Sequence, residues 1–409
     1  MHQGLGSIAL KGSLTLTVST ALLLLGAARS LSAQDVALTG GVIHTADGDV
    51  FEGGTVVVRD GKVTAVGNDV TVPRGVPVVD VSGRTIIPGM LDNHSHIGFD
   101  VRDVNERSTT FTPRYRIMDV LSPDERYWFN AVDGGVTTIV TGPGSGSVSS
   151  GQSAVVKTWG AVWEDRILDP SGGLKIAMGA KRPHTETSMA TTSMLRERLI
   201  KAQEYQAAQD AWRAGGEEGA PPPTNLDLEV LAGILRGENR IRAHVHSAHD
   251  ILSLLRLKDD FDFGLTLHHA TEAYKVADEI AARNVPVVGV PLFIRIGLVE
   301  EVMRAPAYLV EKGITFAFHT DDPVVMSKHQ RYNAALAIRY GMAPEDALRA
   351  LTINPATIAE VDDRVGSIEV GKDADLVVIN GPWYELTSRV DLVYVDGRLA
   401  FDRATEEGR

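Results

Sequence analysis

The sequence predicts an α/β protein in which repeated strand–helix units form a closed barrel and the two chain ends form a small β-domain. Over residues 89–357, short apolar runs alternate with amphipathic helical segments, which indicates parallel strands joined by helices. The length of this region suits a closed barrel, which typically takes about 250 residues. Runs of β-branched residues with tight-turn signals occur at both ends of the chain, and they predict that the two ends pair with each other.

The composition of this 409-residue chain is that of an ordinary globular protein. Hydrophobic residues make up 44% and charged residues 23%, which excludes wholesale disorder. The net charge of −13 and the lack of a basic stripe argue against a nucleic-acid partner. Because the chain has no cysteine, a disulfide framework, a zinc–thiolate site and a cysteine nucleophile are excluded. A metal ion would have to be held by histidine, carboxylate or a modified lysine.

Residues 1–33 are typical of a cleaved export signal. A weakly basic start leads into an apolar run over residues 14–28, and the small residues Ser30, Ser32 and Ala33 follow. That run is shorter than the roughly 20 residues that a membrane-spanning helix needs, which disfavours an uncleaved anchor. We expect cleavage after Ala33, a mature chain that begins at Gln34 without a membrane span, and a periplasmic or secreted location.

The β-rich ends carry clear hairpin signals. Asp60-Gly61 joins two β-branched runs within residues 53–66, and Asp396-Gly397 follows the predicted strand 390–395. We therefore expect residues 34–88 and 358–409 to form one composite β-domain around the middle region.

The middle region reads as a series of βα units with one insertion. The predicted strands cover residues 136–141, 174–178, 242–246, 265–269, 285–290 and 315–319. Helices are predicted over 272–283 and 344–352. A long polar helix at 193–215, followed by a run of three prolines, is predicted as a helical insertion near residues 190–226. The glycine-rich residues 142–146 lack the Gly-Lys-Ser/Thr ending of a phosphate cradle and predict an ordinary βα loop.

Histidines and one aspartate recur where predicted strands end. On a strand, residues i and i+2 face the same side, so an HxH pair can reach one ion. The carboxyl ends of the strands in a βα barrel converge on a single mouth. Imidazoles and a carboxylate collected there form a divalent-metal site. The residues concerned are His94, His96, His244, His246, His269 and Asp321.

Several motifs resemble the amidohydrolase superfamily, and in particular its imidazolonepropionase-like group. The resemblance implies a distorted TIM (β/α)8 barrel with a small β-sandwich domain built from both chain ends. It covers nearly all of the chain after residue 33. The matching segments are PGMLDNHSH at 88–96, GGVTT at 134–138, HATEAY at 269–274, HTDDP at 319–323, NPA at 354–356 and VGSIEVGKDAD at 365–375.

The resemblance also implies which residues hold the metal. One or two divalent ions, with Zn²⁺ as the expected species, would be bound by His94, His96, His244, His269 and Asp321. Asp321 would also be the catalytic residue that shuttles the proton. In the family pattern the first histidine of the 244/246 pair is the ligand. His246 would then point to the barrel wall by strand alternation, or contact the substrate if a bulge intervenes. His268 would face the opposite side of its strand from His269 and be structural.

A further candidate ligand is the lysine that would bridge two ions. Lys175 resembles the carboxylated lysine with which many relatives bridge their ions; the alternative is a lysine at the start of a strand that extends to solvent. Close relatives often carry an acidic residue shortly after this strand, where this chain has Ala180. That departure argues against a further metal ligand from the loop 179–184.

Together these features predict an exported metal-dependent hydrolase that cleaves a C–N bond of a linear or cyclic amide with metal-activated water. The substrate would be a small molecule, and a homo-oligomer is compatible with the sequence. The alternatives are a deaminase or esterase with the same fold, and a catalytically weakened paralogue with a binding role.

Overall fold

The structure is a computed structural model that describes residues 34–179, 186–289 and 300–406. The expected export signal at 1–33, the loop residues 180–185 and the last residue of the predicted strand 285–290 lie outside the described residues. Within the described ranges, no helix combines the length and apolar character that crossing a membrane requires.

Strands and helices alternate through most of the described chain. The strands are β1 Val36–His44, β2 Val50–Arg59, β3 Lys62–Gly67, β4 Val78–Asp80, β5 Thr85–Pro88, β6 Met90–Ser95, β7 Val136–Thr141, β8 Ser149–Gln152, β9 Ala154–Lys157, β10 Ile167–Asp169, β11 Leu174–Ala177, β12 Arg240–Val245, β13 Gly264–His269, β14 Val287–Gly289, β15 Phe316–Phe318, β16 Leu376–Ile379, β17 Val390–Val395 and β18 Arg398–Asp402. The α-helices are α1 Phe129–Asp133, α2 Ser188–Ala214, α3 Leu226–Leu235, α4 Ala248–Phe261, α5 Ala277–Ala281, α6 Glu300–Glu311, α7 Gln330–Arg339, α8 Pro344–Leu351, α9 Ile353–Ile358 and α10 Arg403–Glu406.

The two chain ends share one eight-stranded sheet. Its strands follow the order β18-β17-β16-β5-β1-β2-β3, with β4 paired to β1. The two ends meet where β16 pairs antiparallel with β5. The Asp60-Gly61 hairpin forms as predicted, with both residues at positive φ as a tight two-residue turn requires. The boundaries of a separate composite domain stay a prediction.

The middle region forms two further sheets whose main strands run parallel. One has the order β10-β9-β7-β6, in which β6 and β7 are parallel. The other has the order β15-β14-β13-β12-β11-β8, in which β11 to β15 are all parallel. The two sheets meet beyond β15, where the Asp321 N–H donates to the His94 carbonyl at 3.0 Å. The described strands therefore form two parallel arrays rather than one continuous eight-stranded sheet.

Most of the predicted elements occur, with bounds that differ by a few residues. The predicted strand 136–141 coincides with β7, and the long insertion helix is α2, which Thr187 caps through its side-chain oxygen. The helix predicted over 272–283 is wrong as a single element. A 3-10 turn at Ala273–Val276 precedes the short helix α5.

A buried ion cluster joins the middle region to the terminal sheet. Lys157, at the end of β9, has no exposed side-chain surface and forms ion pairs with Asp373, Asp375 and Asp396. Burial alone would lower the pKa of Lys157, but the three carboxylates raise it, so the ammonium stays charged. These contacts connect β9 to the segment that precedes β16 and to the turn that follows β17.

Candidate metal centre

The carboxyl end of β6 and the segment after β15 bring two histidines and one carboxylate together. One Asp321 carboxylate oxygen lies 3.2 Å from His96 Nε2 and 3.5 Å from His94 Nε2. His94, His269 and Asp321 also form a group whose candidate ligand atoms all lie within 4.8 Å of one another. This geometry places the predicted HxH pair and Asp321 at one point.

A second group overlaps the first. The ring nitrogens of His244, His246 and His269 lie within 4.8 Å of one another, so His269 belongs to both groups. The His244 and His269 ring centroids are 4.3 Å apart, and those of His246 and His269 are 5.0 Å apart. His246 therefore lies beside the predicted ligands at the site.

Contacts at Nδ1 orient three of these rings. The Nδ1–H of His96 donates to the Gly142 carbonyl at 2.7 Å, and its Nε2 faces Asp321. His244 Nδ1 lies 2.9 Å from Ser145 Oγ, and His246 Nδ1 lies 2.7 Å from Thr271 Oγ1. Such contacts set the tautomer of a metal-binding imidazole. The loop predicted to be an ordinary connection thus supports the site through Gly142 and Ser145.

The expectation that His268 faces away from the site is wrong. Its Nδ1 lies 2.8 Å from His94 Nδ1, and the two ring centroids are 4.9 Å apart. The register of β12 and β13 pairs His268 with His244, so these two residues share a face of the sheet. His269 reaches the same site because its backbone is left-handed, with φ of 61°, which breaks the strand alternation. Asp321 has a similar φ of 58°; such strained conformations are often found at functional sites.

Lys175 lies inside the site. Its side chain is buried, with the residue 3% exposed, and Nζ lies 2.9 Å from His94 Nε2. The alternative that this lysine extends to solvent is therefore wrong. Whether it is carboxylated stays a prediction.

The buried histidines are held in their neutral form. Burial, followed by the nearby Lys175 charge, holds the pKa of His94 well below its usual value. Burial likewise lowers the pKa values of His268, His269 and His319. Burial raises the pKa of the Asp321 carboxyl, but the hydrogen bond with His96 and neighbouring charges outweigh it, so the pKa lies below its usual value. Neutral imidazoles and an ionised carboxylate are the forms that bind a divalent ion.

The donor set fits a divalent metal. His269 Nε2 is buried and has no hydrogen-bond partner among the described residues. An unpaired buried nitrogen costs about 1–3 kcal/mol, a cost that coordination would remove. Imidazole and carboxylate ligands suit Zn²⁺ and other divalent ions.

Asp92 links the two segments that carry the first ligand group. Its carboxylate accepts the His94 and Thr320 N–H groups, each at 3.2 Å, and the Thr320 hydroxyl. Burial raises the pKa of Asp92 to about 7, although its hydrogen bonds oppose this shift. One buried carboxyl thus holds the end of β6 and the segment after β15 in register.

The sequence reasoning did not identify His319 as part of the site. Its ring lies 4.9 Å from that of His94 and 4.7 Å from that of His269, and it is fully buried. Its place in the HTDDP motif, two residues before Asp321, was a signal that could have found it. The departure at Ala180 lies outside the described residues.

Comparison with known proteins agrees with this geometry. A model described as "Amidohydrolase family" matches residues 229–400. A crystal structure of an amidohydrolase from Thermotoga maritima MSB8 is 35% identical, with a TM-score of 0.83, and the match covers 90% of this chain and all of that one. An imidazolonepropionase from Thermoplasma acidophilum is 26% identical over 83% of this chain and 86% of its own length. The amidohydrolase tasK from Hapsidospora irregularis is 29% identical over 85% of this chain, which spans 40% of that longer protein.

Proposed function

We propose that this chain, which belongs to the amidohydrolase family of hydrolases acting on C–N bonds, hydrolyses a linear or cyclic amide. The substrate would be a small molecule, and a divalent metal would assist the reaction. The observation that carries this proposal is the pair of overlapping ligand groups that share His269.

The two groups support a site for two ions. His94, His96 and Asp321 would hold one ion, His244 and His269 the other, and a carboxylated Lys175 would bridge them. When bound, the metal supplies Lewis acidity that makes water a nucleophile near neutral pH and polarises a carbonyl. Zn²⁺ is the expected species.

Asp321 would be the general base and then the general acid. Its carboxylate is ionised and lies against His96, where it can accept a proton from the attacking water. The same group would then deliver that proton to the leaving nitrogen. His96 keeps the carboxylate oriented, because its own ring is anchored on the Gly142 carbonyl.

His246 would contact the substrate. The residue is only partly buried, and Thr271 anchors its Nδ1, so the other ring nitrogen can face a bound molecule. Its proximity to His244 and His269 also allows it to act as a metal ligand. Metal analysis of His246→Ala separates the two roles: a substrate contact leaves the metal content unchanged, whereas a ligand lowers it.

The test is a hydrolysis panel combined with metal analysis. Protein loaded with Zn²⁺ should hydrolyse at least one amide from a panel of linear amides, dipeptides and cyclic amides, and Asp321→Asn should not. Release of ammonia from an amino-substituted heterocycle, without amide hydrolysis, would instead favour deamination on the same fold. No turnover of amides, esters or amino-heterocycles by metal-loaded protein would favour a binding role.

Two finer expectations form part of the proposal. The two parallel arrays would be parts of a distorted (β/α)8 barrel, and the sheet that joins the chain ends would belong to a β-sandwich domain. Residues 1–33 would direct export to the periplasm or the medium, which is supported by their apolar run and small-residue end.

A further inference from the structure

A buried cation lies far from the metal centre. Arg166 ends a 3-10 turn, is 4% exposed, and donates Nε and Nη2 to the carbonyls of Lys157 and Thr158. Among the described contacts it has no ion pair with a carboxylate and no hydrogen bond at Nη1. Burial lowers the pKa of its guanidinium to about 10, with Glu125 opposing this shift, so the group is charged at neutral pH. A buried charge without a counter-ion is costly unless something pairs with it.

Tryptophans flank this cation. The guanidinium carbon lies 4.7 Å from the Trp128 ring and 4.8 Å from the Trp163 ring, whose centroids are 6.1 Å apart. These aromatic faces stabilise the cation and hold its planar group in one orientation. Arg166 is therefore rigid and charged before any ligand arrives.

The Arg166 side chain lines two adjoining cavities. One, of about 410 Å³, has a mixed lining that includes the aromatic side chains of Trp128, Phe129 and Phe401. The other, of about 460 Å³, has a mixed polar lining. Arg166 and Ala161 line both. Each volume lies in the range of small-ligand pockets.

The Arg166 cavities lie too far from the metal centre to be part of the same binding site. Thr158, which lines the 410 Å³ cavity, donates its hydroxyl to the carbonyl of Val136, at the amino end of β7. At the other end of that strand, Gly142 accepts the His96 Nδ1–H. With a rise of roughly 3.3 Å per residue, the two points lie about 20 Å apart along the strand.

We propose that the Arg166 cavity is a second ligand site, which binds a small carboxylate that carries an aromatic ring. The carboxylate would pair with the guanidinium, and the ring would pack on the tryptophan and phenylalanine walls. Glu125, an exposed acid on the lining, opposes an anion there, so it limits the affinity. This inference is independent of the amide-hydrolase proposal.

Intrinsic tryptophan fluorescence tests the proposal, because three of the five tryptophans line this cavity. The probe is 3-phenylpropionate, and the neutral control is 3-phenyl-1-propanol. We expect saturable fluorescence changes with the acid and at least about tenfold weaker binding of the alcohol, the size of one charge-assisted contact. Glu125→Gln should tighten binding of the acid, and added salt should weaken it.

Three variants locate the binding. Arg166→Met should weaken binding of the acid at least about tenfold. If Arg166→Met fails to fold by circular dichroism, Ala161→Phe provides the test, because it fills both cavities from an exposed position and should also abolish binding. His94→Ala should bind the acid as the wild type does. Equal binding of acid and alcohol, unchanged binding in Ala161→Phe, or loss of binding in His94→Ala would each overturn the proposal.

Discussion

Asp321→Asn tests the proposed mechanism most directly. The substitution keeps the size of the side chain and one coordinating oxygen but removes the basicity of the carboxylate. The surrounding backbone is held independently, because the Asp321 N–H donates to His94 and the His96 N–H donates to the Asp322 carbonyl. The fold should therefore persist, with a change of less than about 1 kcal/mol in the free energy of unfolding.

The expected loss of activity is large. General base catalysis typically contributes about 10²–10⁴-fold, which corresponds to roughly 2.7–5.4 kcal/mol in the activation barrier. We expect kcat to fall by that factor, while metal content falls less because the histidine ligands remain. Because the pKa of Asp321 lies below its usual value, the base form is present above that pKa, and activity is lost as the pH falls through it. The variant should lack this acidic limb.

Asp322→Asn is the matched control. The neighbouring Asp322 carboxylate accepts the N–H and hydroxyl of Ser327 at 2.7 and 2.8 Å and belongs to neither candidate ligand group. Its substitution should cost about 1 kcal/mol of stability through the altered hydrogen bonds and leave kcat within about tenfold of the wild type. Measurements of kcat for an amide substrate found by the panel, together with metal equivalents, check both variants. Near-full activity in Asp321→Asn would refute the role of this base.

The other predictions concern the metal, the framework and export. His94→Ala or His96→Ala should lower bound metal and activity together, and full metal content by elemental analysis in either variant would contradict the assignment. Lys157→Met should destabilise the fold by about 3–5 kcal/mol in urea unfolding, because three carboxylates lose their buried counter-ion. Lys62→Met, which removes a half-exposed partner of the same cluster, should cost less than about 1 kcal/mol. The exported protein should begin near Gln34, and an intact mass that retains residues 1–33 would disprove this.

The sequence by itself determined the order of the elements and the chemistry of the site. Alternation of apolar and polar residues is a local property, so it located β7, the Asp60-Gly61 hairpin and the long helix α2 closely. The prediction that His94 and His96 act together depended only on the two-residue period of a strand. The structure brings both rings to the Asp321 carboxylate. These inferences depend on neighbours in the chain, which a sequence displays directly.

Contacts between distant segments were decided only by the tertiary structure. The left-handed backbone of His269 lets two consecutive histidines serve one site, and no side-chain pattern encodes that φ value. The burial of Lys175 beside His94 likewise depends on how β11 packs against β6. Lys157 is separated from its three aspartates by more than 200 residues of sequence. Arg166 and Trp128 are likewise not neighbours in the chain, and only folding brings the guanidinium to the ring. Charge pairing and cavity formation depend on spatial distance, which the order of residues does not specify until the chain has folded.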